Sequence, residues 1–415
     1  MFYREVNFKD SEIGRIPKDW EVSKLEKICG KIKAGGTPLT TKKEFWNGNI
    51  PFVKIEDMTS SGKYLMKTSS SITKAGLENS NAWLVPENSL LLAMYGSLGE
   101  VSINTINVAT NQAILGIIPK EKDDVEFLYY WFLYFKPCWR KFAKPTTQAN
   151  LTAEIVRNST LPLPFPQERR KIAEILSTVD KAIQKTNEII AKTERLKKGL
   201  MQELLTKGIG HKEFKDTEIG RIPKDWKITN LGNKELAEII MGQSPSSNTY
   251  NREGKGLPFL QGKMEFGEIY PSPVLYCSQP IKIAEPNDIL ISVRAPVGDV
   301  NIAPYRLCIG RGLAAIRFNL NRVNHQFYFY YFQKIKNLLE NLGKGSTFKA
   351  ITKEDLENLK VPYPSFFEQQ RIAEILFTVD KKLEIERKEK ARLERIKQGL
   401  MDLLLTGKIR VRVSK

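Results

Sequence analysis

The sequence predicts an α+β protein in which two mixed α/β domains are separated by a long antiparallel two-helix coiled coil, with an internal pseudo-twofold repeat. Three observations predict this class. The chain repeats itself, each repeat ends in a long segment with heptad spacing, and each middle shows short strand-like runs between glycine and proline turns. The 415 residues, 41% of them hydrophobic, are enough for two domains with substantial cores.

The repeat is carried by matching segments in the same order. Residues 10–20 (DSEIGRIPKDW) match residues 216–226 (DTEIGRIPKDW) at all but one position. Residues 172–181 (IAEILSTVDK) match residues 372–381 (IAEILFTVDK) equally well. Two copies lack the capping units and third repeat that a solenoid needs, so we expect a closed pair with a domain at each end of the helices.

The middles of the two copies have diverged, but landmarks persist. The turn Gly35-Gly36-Thr37-Pro38 aligns with Gly242-Gln243-Ser244-Pro245, and the strand-like run 89–93 aligns with 289–293. This alignment places Arg294 opposite Met94. An aromatic run in each copy is assigned to core packing. These runs are residues 127–132 and 327–332.

Long helices close each copy. The 3–4 alternation of apolar residues over residues 167–206 predicts a coiled-coil seam, with a matching helix after Pro364. The predicted seam residues are Ile172, Ile175, Val179, Ile189, Leu196, Leu200, Ile372, Ile375, Val379, Leu383, Leu393, Ile396, Leu400 and Leu404. Ser365 and Glu368 have capping-box spacing, and Gly208 and Gly407 are the expected helix ends. The alternative is that each helix folds back on its own domain.

Composition excludes several classes of protein. The formal charge of +18 favours a polyanionic partner such as nucleic acid. Four dispersed cysteines and two histidines give no metal-binding or disulfide pattern. The start of the chain is charged, and the apolar run 127–135 is too short to span a membrane, so a cytoplasmic protein is expected.

Together the motifs resemble the specificity subunit of type I restriction-modification systems over residues 10–410. They are G-x-I-P-x-D/E-W near each domain start, P-x-P followed by E-Q/R-x-x-I-A-x-I-L, and G-L-M-x-x-L-L-T at residues 199–206 and 399–406. The resemblance implies that each domain recognises one half-site of an asymmetric bipartite target in double-stranded DNA. It also implies that two modification (methyltransferase) subunits bind the repeated regions and that restriction (translocase/endonuclease) subunits join them.

The resemblance sets the expected boundaries and one departure. We expect target recognition domains at 1–165 and 209–363 and spacer helices at 166–208 and 364–409. Arg169-Arg170 departs from the family-like Gln369-Gln370, which should alter local contacts without altering the role. The chain contains neither a P-loop nor an adenine-methyltransferase tetrapeptide, so we expect a non-catalytic subunit without a cofactor or metal.

The candidate DNA-binding residues are polar and basic side chains in turns of the two middles, because such groups hold phosphates or read base edges. They are Lys42, Lys43, Asn111, Gln112, Lys144, Thr147, Gln148, Asn150, Ser244, Asn248, Arg252, Arg294, Arg311, Lys344, Thr347 and Lys349. Three other functions remain open at this point: an autonomous two-headed DNA-binding regulator or architectural protein, a protein-binding scaffold, and an enzyme with an unrecognised site.

Overall fold

The computed structural model describes residues 2–139, 151–342 and 350–412, which form two compact units. The first unit comprises Met1–Asn187 and Glu389–Lys415, and the second comprises Glu188–Lys388. Two long helices, Pro166–Lys207 and Phe366–Leu405, each contribute one half to each unit. The predicted fold class is confirmed: both domains are rich in β-structure, and the long helices pack together.

The first unit is built on two sheets. Its five-stranded sheet has the order Cys29–Ala34, Ile114–Pro119, Ser89–Ala93, Val101–Asn104 and Tyr64–Leu65. Its four-stranded sheet has the order Ser70–Ile72, Trp46–Val53, Val108–Thr110 and Leu84–Val85. Strand pairs complete the unit: Phe2–Arg4 with Ile409–Val411, Phe8–Lys9 with Ile16–Pro17, and Glu21–Lys24 with Thr160–Leu163. Its shorter helices are Leu25–Ile28, Ile55–Ser61, Lys74–Glu78, Asp124–Phe135 and Ala153–Asn158.

The second unit repeats this plan with different numbers of strands in the two sheets. Its four-stranded sheet has the order Ala237–Met241, Leu313–Phe318, Ile289–Ser292 and Val300–Ile302. Its five-stranded sheet has the order Tyr250–Asn251, Leu275–Cys277, Leu257–Leu260, Leu307–Ile309 and Ile283–Ala284. The strand pairs are Phe214–Thr217 with Gly220–Pro223 and Lys227–Asn230 with Lys360–Tyr363. Its shorter helices are His325–Lys334, Lys336–Leu342 and Lys353–Glu357.

An aromatic helix covers the five-stranded sheet of the first unit and the four-stranded sheet of the second, which we call the main sheets. In the first unit every residue from Phe127 to Phe132 is buried, and in the second every residue from Phe327 to Phe332 is buried. These helices share a core with the start of one long helix and the end of the other, so burial of apolar surface fixes the long helices to the sheets. The predicted role of the aromatic runs in core packing is confirmed.

Within each unit the two helix halves run antiparallel and are joined by an ion pair between a lysine of one helix and an aspartate of the other. Lys397 Nζ lies 2.6 Å from Asp180 Oδ1 in the first unit, and Lys197 Nζ lies 2.6 Å from Asp380 Oδ1 in the second. A tyrosine from the aromatic helix donates to the same aspartate in each unit. These bonds join Tyr130 to Asp180 at 2.6 Å and Tyr330 to Asp380 at 2.8 Å.

The predicted seam is wrong at two positions. Leu196 is 55% exposed and Ile396 is 40% exposed, whereas Ile172, Leu383 and Leu404 are almost fully buried. The reason is local: the inward positions beside the two exposed residues belong to Lys197 and Lys397, which reach the aspartates of the opposite helix. The remaining predicted seam residues are buried or half-buried. They are Ile175, Val179, Ile189, Leu200, Ile372, Ile375, Val379, Leu393 and Leu400.

A glutamate in the first turn of each long helix bonds to the tryptophan of the G-x-I-P-x-D/E-W motif in the same unit. Glu168 accepts hydrogen bonds from Trp20 Nε1 at 3.1 Å and from the guanidinium of Arg410. Glu368 accepts from Trp226 Nε1 at 2.9 Å and lies 2.8 Å from His211 Nε2. The capping-box prediction is therefore half right: Ser365 Oγ accepts from Glu368 N at 3.3 Å, but the Glu368 carboxylate bonds elsewhere.

The long helices end at glycine as the sequence predicts. Gly208 has φ of 65° and Gly407 has φ of 71°, a left-handed conformation that glycine adopts without strain. A Cβ atom on Gly208 would also lie 2.3 Å from Glu368 Oε1.

Among the described residues, no helix combines the length and apolar character needed to cross a bilayer.

Candidate nucleic-acid interface

The candidate interface is centred on two matching four-residue turns, one in each unit. The first turn, residues 111–114, closes with a 3.2 Å hydrogen bond from Ile114 N to Asn111 O. The second turn, residues 310–313, closes with a 3.0 Å bond from Leu313 N to Gly310 O. Both turns lead into a central strand of the main sheet, and each presents one exposed predicted residue at its second position. These residues are Gln112 and Arg311.

A hydroxyl from the glycine-proline segment accompanies each turn. The Thr37 hydroxyl donates to Gln112 Oε1 at 2.5 Å, and Ser244 Oγ accepts from Arg311 N at 3.2 Å. The backbones approach so closely that only glycine fits beside them. A Cβ on Gly35 would lie 2.0 Å from Thr110 O, and one on Gly242 would lie 2.2 Å from Gly310 O.

The strand next to each turn places a second side chain at the same end of the sheet. Met94 N donates to Ala113 O at 2.8 Å, and Val293 N donates to Gly312 O at 2.9 Å. Val293 is therefore the counterpart of Met94, and the predicted pairing of Arg294 with Met94 is wrong by one residue. A shift of one residue in a strand moves every side chain to the other face, which makes the correction substantial.

The residue that matches Arg294 is Tyr95. The Arg294 side chain is exposed, and its backbone forms an isolated antiparallel β-bridge with Ala350. Tyr95, in contrast, is half-buried against the core of the first unit. Burial raises the pKa of the Tyr95 phenol, which therefore stays neutral near pH 7 and can donate a hydrogen bond. The same end of the sheet is thus neutral in one unit and basic in the other.

The other predicted residues lie on nearby or separate surface turns. Lys42 and Lys43 are exposed at a short 3-10 helix, and Lys42 Nζ lies 5.1 Å from the centroid of the Phe45 ring. Asn248 is exposed in the 3-10 helix Ser247–Thr249, three residues beyond Pro245. Arg252 is exposed beside a turn closed by Asn251 and Lys255, and no described contact joins it to the second turn.

The charges at this surface are not neutralised within the chain. In the part of the chain that the structure describes, no carboxylate lies within 4.0 Å of Lys42, Lys43, Arg294 or Arg311. Several basic residues on the long helices do pair with a carboxylate, among them Lys388 and Lys390 with a glutamate four residues away and Lys397 with an aspartate on the opposite helix. Unpaired cations on exposed turns are typical of surfaces that bind phosphate or guanine.

Seven predicted residues lie outside the described residues. They are Lys144, Thr147, Gln148, Asn150, Lys344, Thr347 and Lys349. The described chain resumes next to the turns in both units, since Leu151 N donates to Met94 O and Ile351 N donates to Val293 O, each at 2.9 Å.

Sequence reasoning missed two side chains at this surface. Thr37 orients Gln112, and Tyr95 stands where the second unit has Arg294. A signal for Thr37 was present, because both copies keep a hydroxyl residue before proline in the glycine-containing turn, at Thr37 and Ser244. Tyr95 could not be found without the strand register. No group of three or more metal-ligating side chains is assembled among the described residues.

Comparison of the sequence with known proteins identifies a family. The family profile described as "Type I restriction modification DNA specificity domain" matches residues 17–195 and again residues 223–395. The putative type I restriction enzyme MjaX specificity subunit of Methanocaldococcus jannaschii is 44% identical over 429 residues, covering 99% of each chain. The MjaVIII specificity subunit of the same organism is 30% identical over 432 residues, covering 99% of this chain and 98% of the relative.

Solved structures show the same fold. A chain from work on the structural basis of complex assembly and conformational transition of the type I R-M system is 29% identical, with a TM-score of 0.61, and covers 95% of this chain and 99% of its own. The S subunit of a type I restriction-modification system from M. genitalium has a TM-score of 0.62 at 17% identity, covering 95% and 97% of the two chains.

Proposed function

The chain belongs to the family of type I restriction-modification DNA specificity subunits, and from this premise we propose that each of its two domains reads one half-site of an asymmetric bipartite target in double-stranded DNA. The family assigns to the chain the specificity role, which is the non-catalytic part of the restriction-modification complex. The proposal concerns how this chain performs that role.

One observation supports the proposal that each unit recognises a different half-site. The two units have matching turns before equivalent strands, with Gln112 at the exposed position in the first unit and Arg311 in the second. A conserved frame with exchanged side chains is expected if each unit performs the same task on a different sequence. Two readers with different side chains would recognise two different half-sites, which makes the target asymmetric.

The candidate residues divide by chemistry into two roles. Lys42 and Lys43 would hold phosphates, because ammonium groups act as point charges that need no base geometry. Asn111, Gln112, Arg294 and Arg311 would read base edges, because their amide and guanidinium groups can make paired hydrogen bonds. The remaining candidates stay predictions of DNA contact without an assigned role. They are Lys144, Thr147, Gln148, Asn150, Ser244, Asn248, Arg252, Lys344, Thr347 and Lys349.

The partners follow from the family. We propose that two modification (methyltransferase) subunits bind the repeated regions and that restriction (translocase/endonuclease) subunits join through the complex, in the cytoplasm. The repeat supports two equivalent binding regions, because each unit carries the start of one long helix and the end of the other. The solved relative from a type I assembly supports incorporation into such a complex.

The test is to compare methylated bases in the native genome before and after deletion of this gene. We expect one bipartite, asymmetric methylation motif to vanish on deletion and to return when the gene is restored. Retention of every motif would overturn the proposal. An autonomous DNA-binding regulator would behave differently, since the purified chain alone would bind its target tightly and modification subunits would add no specificity.

A further inference from the structure

We propose that Gln112 and Arg311 occupy the same base-reading position in the two domains, and that the first domain reads adenine at this position while the second reads guanine. This inference rests on the proposed function, because it assumes that both turns face DNA. It adds the identity of one base in each half-site and the residue that selects it.

The equivalence of the two positions comes from the backbone. Each residue is second in a four-residue turn, and the third residue of that turn accepts a hydrogen bond from the neighbouring strand. The fourth residue of each turn begins the strand that pairs with this neighbour: Ala93 pairs with Ile114, and Ser292 pairs with Leu313. Two side chains in the same place on the same frame would meet the same position of their respective half-sites.

The surroundings of Gln112 suit adenine. The Thr37 hydroxyl donates to Gln112 Oε1, which fixes the amide and leaves a second lone pair on this oxygen. The amide nitrogen keeps both of its hydrogens for an external acceptor. One free acceptor and one free donor side by side match N6 and N7 of adenine in the major groove.

The surroundings of Arg311 suit guanine. Its guanidinium has no carboxylate within 4.0 Å among the residues that the structure describes, while Ser244 Oγ accepts from its backbone N–H. The flanking Gly310 and Gly312 donate to Leu260 O at 2.8 Å and to Gln261 O at 3.3 Å, which holds the turn against the neighbouring strand end. A guanidinium with two parallel donors matches O6 and N7 of guanine.

A shared role in holding phosphate is the alternative, because both glutamine and arginine can donate to phosphate oxygens. Such contacts carry no sequence information, so a phosphate role predicts that base preference stays unchanged when either residue is replaced. Glutamine and arginine are, however, the side chains that make bidentate bonds to adenine and guanine respectively.

The experiment uses the complex of this chain with its modification subunits and a set of duplexes in which each half-site position is randomised in turn. Gln112→Arg should change the preference from adenine to guanine at one position of the first half-site. Arg311→Gln should make the reverse change in the second half-site. Each bidentate pair discriminates by about 5- to 150-fold, so shifts of this size are expected. The control Lys43→Gln should weaken binding to all sequences without changing preference.

Alanine variants decide the case if an exchange variant binds poorly. Gln112→Ala and Arg311→Ala should each lose preference at a single position, in the first and the second half-site respectively. Unchanged preferences in both would overturn the inference while leaving the proposed function intact, provided that replacing a whole domain still changes one half-site. If replacing a domain changes neither half-site, the proposed function itself fails.

Discussion

At the residue scale, the departure at Arg169 is compensated inside the first domain. Arg169 donates to both carboxylate oxygens of Asp124 at 2.6 and 3.0 Å, and both side chains are buried. In the second copy Gln369 takes this place, and its Oε1 accepts from the backbone of Asn324 at 2.9 Å. Each copy therefore satisfies the buried side chain at this position, by an ion pair in the first and by a hydrogen bond to backbone in the second. The sequence showed the substitution at Arg169. The partner of Arg169, Asp124, lies 45 residues away and could be identified only from the structure.

We predict that Arg169→Gln destabilises the first domain by about 3–5 kcal/mol, because it leaves the Asp124 carboxylate buried without its cation. The double variant Arg169→Gln with Asp124→Asn should recover most of this loss, since the second copy already has glutamine and asparagine at the matching positions, Gln369 and Asn324. Urea denaturation measures both. The control Arg170→Gln removes only an exposed ion pair to Asp123 and should cost about 0–0.5 kcal/mol. Equal costs for the single and double variants would contradict the pairing.

The carboxylates around Arg410 make the first domain sensitive to acid. A hydrogen bond from Arg410 lowers the pKa of Asp19 below its ordinary 3.8. Since the unfolded chain then binds the proton more tightly, this contribution to stability is present above pH 3.8 and is lost as pH falls through the lowered pKa.

Asp19→Asn should therefore flatten the loss of stability between about pH 5 and pH 2. Unfolding midpoints measured across this range check it. The control is Asp225→Asn, at the matching position of the second copy, where the aspartate is 86% exposed and lies 3.9 Å from His211. If Asp19→Asn and Asp225→Asn change the pH dependence of stability equally, the hydrogen bond from Arg410 does not lower the pKa of Asp19.

At the element scale, the long helices and most of their contact face were predictable, and two seam positions were not. Repeated segments, proline boundaries and glycine ends locate each helix to within a few residues. The heptad pattern assigned Leu196 and Ile396 to the seam, but an α-helix drifts relative to a strict seven-residue repeat. Lys197 and Lys397 take the inward positions instead, because an aspartate on the opposite helix stabilises each of them. A pattern based on hydrophobicity alone cannot anticipate a seam completed by ion pairs.

Strand register limited the prediction of the interface in the same way. The glycine turns and the turn residues Gln112 and Arg311 were identified from composition. The pairing of Arg294 was wrong by one residue, because the length difference between the copies is spread over several loops. Only backbone hydrogen bonds, such as those of Met94 and Val293, fix which residues correspond.

The corrected seam makes a prediction about two residues in one helix. Leu383 is 3% exposed and Ile385 is 66% exposed. Leu383→Ala should lower the free energy of unfolding of the second domain by about 2–5 kcal/mol, whereas Ile385→Ala should change it by less than about 0.5 kcal/mol. Chemical denaturation of both variants is the measurement. A similar loss for both would mean that the helices do not pack as described.

At the scale of the whole molecule, duplication gives one chain two similar units that share two continuous helices, and we propose that each unit reads one half-site. If the length of these helices sets the spacing between the half-sites, four residues inserted between Thr186 and Thr193 and four more between Glu386 and Leu393 add about 6 Å, or about two base pairs of B-DNA. Methylome sequencing should show the same half-sites with a spacer longer by about one to three pairs. Some affinity should be lost, because two pairs also rotate one half-site by roughly 70°. An active variant with the original spacer would mean that another feature sets the distance.

The central claim is that each domain reads its own half-site through a shared frame. It is tested most directly by replacing the middle of the second copy, about residues 232–360, with the corresponding segment of the first, about residues 26–160, and sequencing the resulting methylome. Conserved landmarks at both ends of these segments, including Trp20 against Trp226 and Glu168 against Glu368, should let the copied domain fold in its new place. The account predicts a methylation motif with two related half-sites in inverted orientation. A hybrid that still methylates the original asymmetric motif would contradict it.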